Sequence, residues 1–105
     1  MLKNLVFIYM TAQSKQEAIK IAKHLLEKKL VACANIFDKM TSLYHWEGKL
    51  AEAQEAVLIA KTTDEKFAAV KKEIETIHSY TVPCIVKIPV LANEKFAKWV
   101  EEEVR

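Results

Sequence analysis

Hydrophobic positions along this chain fall either in short unbroken runs or at helical spacing. Leu5-Val6-Phe7-Ile8-Tyr9-Met10 forms one such run, and its β-branched and aromatic residues predict a strand over residues 3–10. Ser14-Lys15-Gln16-Glu17 then reads as a capping box, the Ser14 hydroxyl and Glu17 carboxylate each satisfying the other's backbone donor. Behind it Ala18, Ile21, Ala22, Leu25 and Leu26 share one helical face, predicting a helix that runs to about Lys29. Val31 to Ile36 predicts a second strand, continued through a bend to Trp46. Gly48, the only glycine in the chain, supplies the turn into a third strand centred on Ala56-Val57-Leu58-Ile59-Ala60. Thr63 or Asp64 caps a helix with Phe67, Val70, Ile74 and Ile77 on one face. Pro83 forces Val82 to be extended and closes that helical region, Cys84 to Val90 is a fourth strand, and Asn93 caps a final helix carrying Phe96, Trp99, Val100 and Val104.

The order β-α-β-β-α-β plus a terminal helix predicts an α+β, ferredoxin-like split βαβ domain spanning residues 1–105, with an antiparallel sheet and helices on one face. Its usual strand order, 4-1-3-2, puts Cys33 and Cys84 on opposite edge strands, too far apart for a disulfide. In a two-layer fold the central strands should alternate apolar and polar. Leu5 to Met10 and Ala56 to Ala60 do not, so both sheet faces are expected to be dry, the second covered in part by the terminal helix and otherwise by other copies of the chain.

Composition narrows the partners. Sixteen basic and 14 acidic residues give a formal charge of +2 with both signs interspersed, and no basic run offers a footprint for nucleic acid or a membrane surface. The run Leu5 to Met10 is too short to span a membrane and lacks an export signal's cleavage site, and two cysteines suit free thiols in a reducing cytoplasm. With a single glycine there is no phosphate cradle, hence no nucleotide cofactor. No nucleophile–base pair can be named, so an enzyme is not expected.

The residues that can carry chemistry are few. His24 and His45 are expected at the surface. His78, at the end of the second helix, reads either as a partner of the helix's last carbonyls or as a metal or proton-transfer group. Cys33 and Cys84 read either as small core residues or, joined by Met10, as soft ligands for copper. Tyr44, Trp46, Tyr80 and Trp99 suit packing at a subunit contact as well as they suit a cleft beside His78 and Lys61.

Several segments in order along the chain resemble one family. Leu30-Val31-Ala32-Cys33-Ala34-Asn35-Ile36, Ser42-Leu43-Tyr44-His45-Trp46-Glu47-Gly48-Lys49, Glu55 with Lys61-Thr62-Thr63, His78-Ser79-Tyr80-Thr81-Val82-Pro83, and the trailing Asn93, Phe96 and Trp99 look like the CutA divalent-cation tolerance family. The resemblance implies a ferredoxin-like homotrimer with strands of neighbouring chains joined into extended sheets. It also implies a part in tolerance to copper and other divalent metals, and a likeness to PII signalling proteins in fold and assembly. Where the family reads His-Pro-Tyr and then Pro-Glu, this chain has Ser79 and Cys84; Met10 and Ile77 stand at family ligand positions, and only His78 is matched. The implied metal set is therefore His78, Met10 and Cys84, for copper or another divalent cation. The implied cleft, holding a small ligand or a partner protein, is Cys33, Trp46, Lys61 and Tyr80.

Overall fold

The computed structural model describes residues 1–105. In chain order the elements are β1 (Leu2–Ala12), α1 (Lys15–Glu27), β2 (Cys33–Trp46), β3 (Lys49–Thr62), a single 3-10 turn (Asp64–Lys66) leading into α2 (Phe67–Ile77), β4 (Ile85–Asn93) and α3 (Glu94–Glu103). All pairings are antiparallel and the sheet order is β2-β3-β1-β4, the predicted split βαβ arrangement read from its other edge. Thr63 stands at the N-cap position of the 3-10 turn rather than of α2, and its side chain makes no capping hydrogen bond.

Strand alternation assigns the two faces. Val6, Ile8, Met10 and Ala12 of β1, with Ala56, Leu58 and Ala60 of β3, are buried against Ala18, Ile21, Ala22 and Leu25 of α1 and Val70 and Ile74 of α2. Burying this set out of water is the main drive for folding. The opposite face has only α3, whose Ala97 and Val100, followed by Val104, pack on Leu5 and Ala32 at one end. Lys61 sits there between two rings, 5.4 Å from the Phe7 centroid and 5.6 Å from that of Phe96. Beyond α3 the face is bare. Phe37, Val86 and Ile88 are 58, 44 and 41% exposed, although they share a face with buried Leu5 and Val57.

Local chemistry sets the ends of the elements. The Ser14 hydroxyl accepts from the Glu17 N–H at 3.1 Å as expected, but the Glu17 carboxylate turns to the Gln13 N–H at 3.0 Å, so the capping box is not reciprocal. The other carboxylate oxygen is taken by the Ser79 N–H at 3.0 Å, which ties α1 to the loop after α2. At its C-terminus α1 closes with the Leu30 N–H on the Leu25 carbonyl and the Lys29 N–H on Leu26, both 3.0 Å, with Lys29 at φ 56° where glycine is usual. The one buried polar side chain in the sheet, Thr62, donates to the Leu30 carbonyl at 2.7 Å and fixes that connection to β3.

β2 and β3 form a long hairpin. Its register slips by one residue between Phe37 and Met40, with Lys39 at φ 61°, a β-bulge. Glu47 (φ 51°) and Gly48 (φ 77°) close it between the paired Trp46 and Lys49, the two-residue turn with both central residues left-handed. A Cβ on Gly48 would meet nothing within 4 Å, so only the backbone conformation opposes a side chain there. Gly48→Ala is expected to cost about 1 kcal/mol, and Lys29→Gly to move stability the other way by no more than that, in urea unfolding at one fixed protein concentration.

Candidate functional site

The segment 78–84, between α2 and β4, leaves the end of the helical layer and crosses to the bare face of the sheet. The His78 N–H caps α2 on the Ile74 carbonyl at 2.8 Å, and the residue itself is extended (φ −73°, ψ 142°). Its ring then bridges two segments: Nδ1 accepts from the Tyr80 N–H at 3.0 Å, and Nε2 lies 2.8 Å from the Thr11 carbonyl. An acceptor at Nδ1 and a carbonyl at Nε2 define one tautomer, with the proton on Nε2. Tyr80 stacks obliquely on this ring, centroids 4.7 Å apart, and its hydroxyl donates to Glu55 Oε2 at 2.6 Å.

These contacts frame a cavity of about 430 Å³. One wall is the hairpin, with Tyr44, Trp46 and Glu55; the other is Ser79, Tyr80, Thr81 and Val82, and Thr11 and Cys84 lie at its base. No lysine, arginine or histidine lines it. Burial first, and then the hydrogen bond and negative charge of Glu55, push the Tyr80 phenol above its ordinary range and keep it protonated. The Cys84 thiol is pushed up in the same way, by burial and then by Glu55, which favours the thiol over the thiolate.

The residues implied as metal ligands do not converge. Met10 pairs with Ile85 across the β1–β4 ladder and is fully buried on the helix-covered face, whereas Cys84, one residue before Ile85, lies on the other face. Both ring nitrogens of His78 are engaged. No group of three or more His, Cys, Asp or Glu residues could hold a metal ion. As placed within one chain, these residues do not fit a resident metal. The implied cleft also divides. Trp46 and Tyr80 line the cavity, while Cys33 and Lys61 pair with each other across β2 and β3, beside α3. Lys61 lies six positions along β3 from Glu55, roughly 20 Å along the strand. His24, expected in solvent, is instead drawn against Glu73 of α2 at 2.8 Å, with Lys28 at 2.6 Å on the same carboxylate oxygen.

The comparisons with known proteins fit this fold. The family model of the CutA1 divalent ion tolerance protein matches residues 6–103. The chain belongs to the CutA1 family. Among its relatives, the divalent-cation tolerance protein CutA of Archaeoglobus fulgidus is 52% identical over 99 residues, covering 93% of this chain and 96% of that one. The Thermus thermophilus CutA is 40% identical over 96 residues, covering 90 and 93%. A solved structure of the Archaeoglobus protein, described as a periplasmic divalent cation tolerance protein, superposes with a TM-score of 0.93 at 50% identity over 96% of this chain and 99% of that chain. CutA1 from Oryza sativa gives a TM-score of 0.93 at 30% identity over 97 and 94%. The α+β fold of this CutA1 chain is thus a family property.

Thr11 carries no spacing that marks a site in one sequence, and Glu55 stands out only as part of the family resemblance; the antiparallel register brings both under the 79–84 segment. Glu17 is similarly silent. Burial raises its carboxyl pKa, but the hydrogen bonds from the Gln13 N–H and from Ser79 outweigh that and hold it below its ordinary value of 4.5. A carboxylate depressed in the folded state stabilises above the unfolded value, and that contribution is lost as pH falls through the folded one. Glu17→Gln is therefore expected to lower stability near neutral pH and to flatten its decline below about pH 4.5. Urea midpoints measured across pH 3–7 check this, and a parallel offset at every pH would contradict it.

Proposed function

We propose that this chain works as a homotrimer in the response to divalent metal ions, with the cleft around Trp46 and Tyr80 as a binding site for a small ligand or partner, in the manner of a PII-like sensor. The observation that carries this is the bare apolar face: Phe37, Val86 and Ile88 stand exposed beside buried Leu5 and Val57, and α3 covers one end only. A face of that kind is rare on a monomer and is ordinarily covered by association. The division of the cleft residues supports the same reading. Cys33 and Lys61 at one end of β3 can face Trp46 and Tyr80 only across two copies of the chain. Family membership supports the tie to divalent cations.

Copper enters this reading only with ligands drawn from more than one copy of the chain, Cys84 contributing the cavity's one sulfur by losing its thiol proton. We place the protein in the cytoplasm, where Cys33 and Cys84 would remain thiols.

Light scattering on the wild-type protein at micromolar concentration is expected to give three copies of the 12.0 kDa chain, about 36 kDa, and Ile88→Lys to reduce that mass. A wild-type monomer would end the proposal. Calorimetry with copper on metal-free protein is expected to lose its tightest step in Cys84→Ser; binding unchanged in that variant would remove copper from the cleft.

A further inference from the structure

Two opposite charges stand uncompensated on the bare face. Glu55, Val57, Ile59 and Lys61 alternate onto that face of β3, so the carboxylate and the ammonium flank an apolar stretch. Neither takes part in an ion pair within its own chain, and their spacing along one strand prevents them from meeting there. Glu55 gives Oε2 to the Tyr80 hydroxyl at 2.6 Å and leaves Oε1 open. Lys61 is held between the Phe7 and Phe96 rings, 5.4 and 5.6 Å from their centroids, which position its ammonium without neutralising it. The other lysine at that end, Lys3, is already taken by Glu101 at 2.8 Å.

Covering the face changes the balance for both groups. Each is half-buried in one chain, and an apolar surface laid over Val57 and Phe37 would draw both further from water. An ion buried without its counter-charge is strongly destabilising. A neutral partner would strand both charges, and a partner of one sign would satisfy only one of them. A second copy of the chain brings the missing charge of each sign. Its Lys61 end is the one that meets Trp46 and Tyr80 in the trimer, and Glu55 lies between those two side chains. The contact is head-to-tail: every copy gives Lys61 to one neighbour and Glu55 to the other, and a closed ring leaves neither charge over. We infer that Lys61 of one copy pairs with Glu55 of the next, and that this ion pair sets the register of copies on the bare face.

This inference rests on the homotrimer proposed above. The test uses Lys61→Glu and Glu55→Lys in the full chain, with mass read by light scattering at micromolar concentration. Each variant alone puts like charges at every junction and is expected to fall below the wild-type mass. An equimolar mixture restores opposite charges wherever unlike copies meet, and is expected to regain mass. A fault inside either chain would not be cured by mixing. Wild-type mass in either variant, or a mixture no heavier than its components, would overturn the inference. If a charge reversal does not fold, Lys61→Met keeps the stem between the rings and Glu55→Gln keeps an acceptor for the Tyr80 hydroxyl. Each of these alone is expected to weaken association about ten-fold or more, and the two together by less than the product of the single effects. Losses that simply multiply would overturn it. The wild-type control separates the two readings: a wild-type monomer ends the trimer, whereas a wild-type trimer whose variants keep its mass leaves the trimer standing and ends the ion pair.

Discussion

The structure turns on a sheet with apolar side chains on both faces, one covered by α1 and α2 and the other only at one end by α3. β1 lies at the centre of this arrangement, paired on either side by β3 and β4. Its even-numbered residues from Val6 to Ala12 are sealed beneath α1 and α2, and its odd-numbered ones pass from Leu5 under α3 to the half-buried Phe7 and Tyr9. With no water tolerated on one side and little polar substitution on the other, the strand has no face to give to solvent. The position of α3, the exposed patch beyond it and the placing of the cavity on that same face all follow. The helical layer has the simpler task. It supplies the core and, through Glu17 and the His78 ring, the anchor points that carry segment 78–84 around the end of the sheet.

Much of the architecture was legible because it depends on periodicity. The run in β1, the 3.6-residue faces of α1 and α2 and the lone glycine before Lys49 each mark an element by composition alone, and the split βαβ order follows from them. The capping box was half legible. Ser14 caps as its spacing implies, but the Glu17 carboxylate finds a donor 62 residues away at Ser79, which no local pattern announces.

The site was less legible, for reasons of register. Counting by twos from Cys33 puts odd-numbered residues on the bare face, and on that count Tyr44 and Trp46 belong with the helices. The bulge after Phe37 inserts one residue and reverses the phase, so that even-numbered residues face the cavity from Met40 onward. His78, Met10 and Cys84 look like a ligand set only while the sheet has no thickness. Once Met10 and Cys84 are assigned to opposite faces, the set dissolves, and the residues that do assemble (Thr11, Glu55, Tyr80) come from three distant stretches of chain.

The bulge also sets where this chain can change length. A residue removed at Lys39 would restore simple alternation and leave every aromatic on its present side. A residue added or removed between Met40 and Trp46 would turn the rings beyond it toward the opposite face. Insertions and deletions along this arm therefore differ sharply in consequence over a span of a few residues. Lys39, already held at φ 61°, is the position where a change in length is absorbed without moving the walls of the cavity.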